Sequence, residues 1–551
     1  MSIPYSSLPS YSDLFLKYTE NFESLSKFYE FNFKKDEDFQ KCIELKKETY
    51  IKGKSFFRNE ITDILKVQNA KFGSHEKTFE NILLLNDHNT FAVVTGQQIG
   101  ILSGPYYTIL KALNTIQLSE QLKTKFPEYN FVPVFWLEAD DHDFTEINNI
   151  NIISKENELK NIKYFEKGTE QEKYLQPVGG IILDEHIETF KNELLGSYHN
   201  SDFTENLFNS INESYKEGND LITAFALFMN DIIKDKGLIF IDPTDIELKK
   251  MLQPVFKTEL TTFPDICEKV IDTSVELEEN FAVQVKPKAI NLFYIHEGNR
   301  YLIEPREDDI FALKHSRQKF SREELTGLLE TNPERFSWNV VTRPICQDYL
   351  LPTVAYIGGP SEIAYFGQFR QVYEYFEITM PVIYPRTSVT ILESRVKNFM
   401  EKFNIRFDEF FDEKEIGKKL LNENSDISAD QIFSDLKEEL RAVFYTYEKE
   451  LLKIDNKQTE GFSKRNNQFL ESLEIAKEKF ISAQSKQNEV ISNQLRKALL
   501  FIFPDNTLQE RILNISYFLN KYGPDIIEHL ISEIIIDDFG HQVIEVPANR
   551  I

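Results

Sequence analysis

The chain has 551 residues, 41% hydrophobic and 28% charged, with 63 Lys and Arg against 89 Asp and Glu for a net charge of −26. That balance belongs to a folded protein of several structural units, and so acidic a surface repels nucleic-acid backbones and anionic lipid, so no nucleic-acid partner is expected. Its three cysteines, Cys42, Cys267 and Cys346, are too few for a disulfide framework or a four-thiolate zinc site and suit a reducing compartment.

The opening residues, MSIPYSSLPSYSDLF, contain no basic region leading into an apolar run, and nothing in the chain approaches the ~20 apolar residues of a membrane helix. The expectation is a cytoplasmic protein with no membrane contact. Residues 1–85 read as polar and helical. The texture then changes: FAVVTG at Phe91–Gly96 is a short β-branched run ending in Gly, followed by a loop carrying Gly100, Gly104 and Pro105. In the next segment Ile109, Leu110, Leu113, Ile116 and Leu118 recur at helical spacing, and FVPVFWL at Phe131–Leu137 is a second apolar strand. Strand, Gly-rich turn, helix and strand make one βαβ unit, which forces a parallel sheet.

GLIFIDPTD at Gly237–Asp245, TVAYIGGPSE at Thr353–Glu362 and PVIYPR at Pro381–Arg386 have the same buried-strand character. Between them NLFYIHEGNRYLIEPRE alternates like an antiparallel hairpin, which places a β-rich insertion inside an α/β core. From about 390 to 500 Gly and Pro almost vanish. Phe469, Leu473, Ala476, Phe480, Ala483, Gln487 and Val490 are spaced alternately by four and three, and Leu436, Leu440, Val443 and Tyr447 follow the same rule. With a turn at Asp455–Gly461, this predicts two long antiparallel helices packed as a coiled-coil hairpin, the alternative being two amphipathic helices lying on the core.

Three loops at strand ends carry the candidate chemistry. The first is Thr95, Gly96, Gln97, Gln98 and Gly100 through Ser103 and Gly104. Its glycines let backbone N–H groups approach an anion, and the two glutamines can both donate and accept; a plain strand–helix turn would look the same. The second is Glu138-Ala139-Asp140-Asp141-His142-Asp143, beyond a strand's carboxyl end, where ligands bind in open α/β sheets. There His142 reads either as a general base whose pKa is raised by neighbouring carboxylates, or as a solvated or capping residue, and the aspartates could hold magnesium alongside a nucleotide. The third joins Arg343, a lone charge in an apolar segment, to Gly358, Gly359, Glu362 and Tyr365; Arg343 is either a carboxylate or phosphate clamp or half of a structural ion pair. Cys346 reads as a small buried residue.

Together GQQIGILSGPYYTILKAL, PVFWLEADDHDFTEIN, RFSWNVVTRPICQDYLLPTVAYIGGPSEIAYFGQF and the terminal QERILNISYFLNKYGPD resemble the BshC family of bacillithiol-biosynthesis cysteine ligases. The resemblance implies a Rossmann-like parallel sheet core related to nucleotidyltransferases and class I synthetases, with inserted connecting segments and a C-terminal antiparallel coiled-coil arm. On this chain that gives core at 1–160 with N-terminal helices, an α/β insertion at 161–335 including a core strand near 237–242, core again at 336–390, the arm at 391–503, and a C-terminal helix and tail at 504–551 packing on the core. It implies ligation of cysteine to the amine of glucosaminyl-malate, with ATP as co-substrate, magnesium as a possible companion, and a homodimer formed through the arm. Where class I synthetases carry a His-x-Gly-His turn this chain has Gln97-Gln98-Ile99-Gly100, so adenylate chemistry does not carry over from them. A nucleotide contact is implied at Glu393, Ser394, Arg395, Arg496, Leu513 and Tyr517, with ordinary packing as the alternative. Under this reading the Gly96–Gly104 turn holds an anionic or hydroxylated group, Arg343 clamps a carboxylate, and Asp140, Asp141 and His142 bind and deprotonate the amine. The other readings are a non-catalytic dimeric binding or assembly protein and a nucleotidyltransferase acting on a sugar or small acid.

Overall fold

The structure is a computed structural model describing residues 1–9, 11–51, 57–164, 175–423, 429–487 and 489–546. It comprises two compact units, Met1–Thr390 with Glu510–Ile544, and Ile391–Gln509 with Glu545–Ile551.

The first unit is built on five parallel strands: β1 (Thr90–Gln98), β2 (Asn130–Glu138), β3 (Ile239–Ile241), β4 (Thr353–Gly358) and β5 (Val382–Pro385). These segments are apolar on both faces, as strands covered by helices must be, and Val93, Val94, Val132, Val134, Ile239 and Ile357 are fully buried. Their order is β3-β2-β1-β4-β5. Strand order therefore reverses between β1 and β4, the Rossmann arrangement, and a crevice opens beyond the carboxyl ends of those two strands. The parallel core and its βαβ unit are as the sequence predicts. Helix α1 (Tyr107–Lys125) joins β1 to β2, α2 (Ile246–Met251) follows β3, α3 (Thr342–Leu350) precedes β4, and α4 (Pro360–Phe366) follows it; α1, α3 and α4 frame the crevice. N-terminal helices cover the sheet, where the Tyr29 hydroxyl donates to the Ile363 carbonyl at 2.7 Å.

A second sheet of the same unit is antiparallel, ordered Lys319–Ser321, Ile310–Leu313, Asn299–Pro305, Leu292–His296, Phe336–Trp338. Its central hairpin is the one the alternating pattern predicts. The turn places Glu297 and Gly298 at φ of 50° and 81°, a two-residue geometry that matches strand twist and suits glycine.

The second unit contains α5 (Ala429–Leu451) and α6 (Asn456–Gln487). They run antiparallel: Lys477 pairs with Asp430 at 2.6 Å, Lys437 with Glu474, and Asn466 donates to Glu448 at 2.9 Å. Phe433 meets Phe480 and Phe444 meets Phe469 along the seam. This is the coiled-coil hairpin expected from the heptads; the side chains of Ala483 and Gln487 lie outside the described residues. The turn is shorter than Asp455–Gly461. Asp455 accepts the Gln458 N–H at 2.9 Å and starts α6 at Asn456, so Gly461 is helical.

Candidate active site

Beyond the carboxyl ends of β1 and β4 lies a cavity of about 500 Å³, ample for a small polar ligand. All of its walls belong to the first unit. β1 contributes Gly96, Gln97 and Gln98; the end of β2 contributes Glu138, Asp141 and His142; α3 contributes Arg343; the loop after β4 and α4 contribute Gly359, Glu362 and Tyr365. The antiparallel sheet adds Phe293, Arg300 and Trp338, while Arg386 and Arg511 close the far side. Gln97, His142 and Arg343, from three distant segments, thus face one another across one space.

Most charges here already have partners. Lys111, buried on α1, meets Glu362 at 2.5 Å and donates to the Gly96 carbonyl at 2.8 Å and to Gln97 Oε1 at 3.0 Å. Glu362 also accepts the Tyr356 hydroxyl at 2.6 Å and the Gly359 N–H at 2.8 Å. Gln98 Nε2 donates to Asp141 at 2.6 Å. Arg386 binds Glu510 at 2.6 Å, with both groups buried. Arg343 differs. Its Nη1 donates to Gln347 at 3.0 Å, but its buried Nη2 makes no well-formed hydrogen bond among the described residues, although the Tyr365 hydroxyl feels its charge. A buried guanidinium with donors to spare, on a cavity wall, is the geometry of a carboxylate clamp rather than of a completed ion pair.

Glu138 is a strongly perturbed acid of the cavity wall. Both indoles donate to it, Trp338 at 3.1 Å and Trp136 at 3.3 Å. Burial pushes its pKa up to about 7, against the lowering field of Arg343.

His142 requires a correction: its pKa is lowered, not raised. Burial and the adjacent Arg300 outweigh Asp141 and Asp143. Arg300 Nη1 lies 3.1 Å from His142 Nδ1, and because arginine only donates, Nδ1 is the acceptor. The imidazole is therefore neutral with its proton on Nε2, an N–H donor rather than a general base. Asp140 is also corrected. It is buried in an ion pair with Lys249 of α2 and does not line the cavity, because the chain turns it inward while Asp141 faces out.

The Gly-rich turn divides in the same way. Gly96, Gln97 and Gln98 line the cavity, but Thr95, Gly100, Ser103 and Gly104 do not. Thr95 donates to the Ile357 carbonyl between strands at 2.9 Å. The carbonyls of Leu102 and Gly104 are taken by Asn514, and the Leu102 N–H by the Tyr215 hydroxyl at 2.8 Å. A Cβ on Gly100 would sit 3.2 Å from the Gly104 Cα, so these glycines serve a tight buried turn rather than an anion cradle. Gly358 likewise lies behind the wall that Gly359 forms. Cys346 is fully buried, as its sequence context suggests.

Residues 1–387 match the family described as Bacillithiol biosynthesis BshC, N-terminal Rossmann-like domain, and residues 389–546 match the corresponding C-terminal coiled-coil domain. The chain belongs to the BshC family. Its relatives include proteins named "Putative cysteine ligase BshC" from Chloroherpeton thalassium, 35% identical over 97% of both chains, and from Prosthecochloris aestuarii, 33% identical over 94% of both. The protein of the same name from Bacillus cytotoxicus is 28% identical over 93% of this chain and 96% of its own.

For this BshC-family chain, the residues carried over for a nucleotide contact divide between the units. Glu393, Ser394, Arg395 and Arg496 belong to the second, where Arg395 pairs with Glu393 at 3.2 Å and lies 3.7 Å above the Phe501 ring, and Arg496 is exposed. Leu513 and Tyr517 belong to the first. Leu513 is buried and its carbonyl accepts the Tyr106 N–H at 2.9 Å, while Tyr517 packs edge-on against Phe518. Among the described residues no group of His, Cys, Asp and Glu is disposed to hold a metal ion, and no helix is long and apolar enough to cross a membrane.

Sequence reasoning missed Lys111, Arg300, Arg386 and Arg511 as wall residues, and named Glu138 within the acidic run without giving it a role of its own. Lys111 carried a signal, a lone cation among the apolar positions of α1, and Arg386 ends a strand already recognised. Arg300 and Arg511 reach the cavity only through the tertiary fold.

Proposed function

We propose that this protein is a ligase of bacillithiol biosynthesis that joins the cysteine carboxyl to the amine of glucosaminyl-malate, with ATP consumed. The names of its relatives support the reaction class. The observation that carries the assignment is Arg343 and Glu138 facing one cavity at the strand-order reversal: a buried cation with donors to spare for a carboxylate, and a carboxyl titrating near neutrality for an amine.

A carboxylate is a poor electrophile and an ammonium no nucleophile, so the reaction needs two kinds of help. ATP supplies a leaving group on the cysteine carboxyl oxygen. The protein supplies the rest. Arg343 clamps a malate carboxylate bidentately, and Gln97 and Gln98 bond sugar hydroxyls. Asp141 holds the ammonium, and Glu138 takes the proton role first considered for Asp140 and His142. The ammonium would first give one proton to the Glu138 carboxylate, which returns it to solvent; as the freed amine nitrogen bonds to the carbonyl carbon, its second proton would pass to Glu138 while the bond from that carbon to the leaving oxygen breaks. His142 Nε2–H donates toward the oxygen on which charge develops. The exposed apolar residues of the arm outside its seam, Tyr445 and Ile475 among them, support a homodimer formed through it. Tyr445→Glu with Ile475→Glu should sediment as a monomer, and an unchanged mass would refute that contact.

The test is reconstitution with cysteine, glucosaminyl-malate and ATP, with mass spectrometry for the amide. Expected is amide formation strictly dependent on all three, reduced by Arg343→Ala and His142→Ala in folded protein. Parental rates in both variants would refute the assignments. Arg343-dependent binding of glucosaminyl-malate with no amide formed would make the protein a binding component instead.

A further inference from the structure

A second cavity, of about 620 Å³, shares the wall formed by His142, Phe293, Arg300, Asn339 and Val340 with the first. Its other charged and titratable lining residues are Lys286, Lys288, Tyr301, Lys314 and His315; among the described residues no Asp or Glu lines it. In a chain of net charge −26 this is a strong local reversal of sign. Among the described residues Lys286 and Lys288 form no ion pair, and Lys314 reaches Glu304 only at 3.8 Å. The cations are set on a built frame. The Lys288 N–H donates to Asn291 Oδ1 at 3.2 Å, the same oxygen that accepts from Asn339 on the shared wall at 2.8 Å, and the Lys314 N–H donates to the Leu302 carbonyl at 2.9 Å. Arg300 is buried in the dividing wall, stacked 3.7 Å from the Phe293 ring and donating to Ser337 and Trp338.

The two cavities differ in the kind of cation they offer. The first presents a planar guanidinium, suited to one carboxylate; the second presents three ammonium groups, two of which, Lys286 and Lys288, form no ion pair among the described residues. Clustered point charges on flexible stems suit a chain of phosphates, whose oxygens point in many directions. We infer that this lysine-lined annex is the binding site for the oligophosphate chain of the nucleoside triphosphate, set against the wall it shares with the carboxyl-binding cavity. The inference rests on the ligase reading for the identity of the nucleotide, but not for the binding itself.

The test measures binding by the full-length protein of tripolyphosphate, ATP, inorganic phosphate and malate, by calorimetry at low and moderate salt. A Lys286→Gln/Lys288→Gln variant changes only exposed side chains and should fold normally, which its unfolding midpoint verifies. Expected is a loss of about tenfold or more in affinity for tripolyphosphate and ATP, a shallower salt dependence, and unchanged malate binding. Arg343→Ala should show the reverse pattern. Parental ATP and tripolyphosphate affinity in the double-lysine variant overturns the proposal, as does a loss seen instead in Arg395→Ala/Arg496→Ala. Equal weakening of malate overturns it too, since that would mean a general field rather than a phosphate site. Lysine-dependent tripolyphosphate binding in a protein that makes no amide upholds the annex and refutes the ligase reading; amide formation with a parental KM for ATP in the variant does the opposite.

Discussion

Replacing Glu138 by Gln removes the carboxylate to which both indole N–H groups of the chain donate, Trp136 and Trp338 being its only tryptophans. A pKa raised from the usual 4.5 to about 7 corresponds to about 3 kcal/mol at 1.36 kcal/mol per unit. The sign follows from proton counting. The folded state holds the proton more tightly than the unfolded chain, so stability from this group is full below pH 4.5, falls as pH rises, and is lost above about 7. The glutamine side chain cannot ionise, and its one carbonyl accepts from a single indole, costing about 1 kcal/mol at any pH. Relative to the parent, the variant should therefore gain about 2.5 kcal/mol between pH 5 and pH 8 in urea unfolding. Tryptophan emission gives the direct readout, because no other fluorophore of this kind dilutes it. The parent's folded protein should show one emission transition centred near pH 7, absent in Glu138→Gln and retained in Glu259→Gln, whose carboxyl also titrates near 7 but bonds to Asn291. Flat parental emission from pH 5 to 9, or a transition surviving in Glu138→Gln, would refute both the burial argument and the proton role built on it.

Arg343→Ala should weaken malate binding by about a hundredfold or more, since it truncates a desolvated charge, and Arg343→Lys should not restore it because the bidentate fork is gone; Arg343→Ala, but not Arg343→Lys, should move the emission midpoint upward by removing the cation that opposes Glu138's burial. Lys111→Met leaves Glu362 charged in a buried site and should cost about 3–5 kcal/mol in urea unfolding, most of it regained in the Lys111→Met/Glu362→Gln double variant; additive losses would refute the pairing. His541, fully buried between the Ser388 and Thr390 hydroxyls, has its pKa pushed by burial down to about 4. Here the unfolded chain binds the proton first, so stability is lost as pH falls from about 6.5 toward 4, by about 3 kcal/mol, and His541→Leu should flatten that acid limb even though its baseline stability is lower.

What could be seen in the sequence was periodic or punctual. Apolar runs ending in Gly or acid gave the parallel strands, and the four–three repeat gave the arm. Which residues of a strand-end loop face the ligand could not be seen, because a single residue of phase decides it. Asp140 and Asp141 are chemically equal in the sequence; the backbone sends one to Lys249 and the other to the cavity. Gly96 and Gly104 likewise look alike, yet Asn514, more than four hundred residues on, claims the second for packing. The role expected of His142 failed for a related reason. Neighbouring carboxylates were visible in the sequence, but Arg300, on a hairpin far along the chain, fixes the tautomer.

The cavity's cations are sorted by what they already hold. Lys111 holds Glu362, Arg300 holds Asp141 and Arg386 holds Glu510, so their charges are spent on architecture, and a ligand arriving with negative charge need not break an ion pair to be bound. Arg343 is the buried guanidinium that forms no ion pair there among the described residues; Arg511, also without one, is exposed. The Arg386–Glu510 contact shows why that economy extends beyond the site. Arg386 precedes the arm in sequence and Glu510 follows it, and Glu510 also accepts the Val389 N–H at 2.7 Å. The two ends of the excursion are thus stapled together inside the first unit, next to Arg511 on the cavity wall. Because both charges are buried, breaking the staple leaves an uncompensated ion beside the ligand. Glu510→Gln should consequently free Arg386 as a second clamp and blunt the preference for the correct acid rather than simply abolish binding. A panel of mono-, di- and tricarboxylates titrated against parent and variant would expose that loss of discrimination, and an unaltered ranking would show that Arg386 is held by contacts other than Glu510.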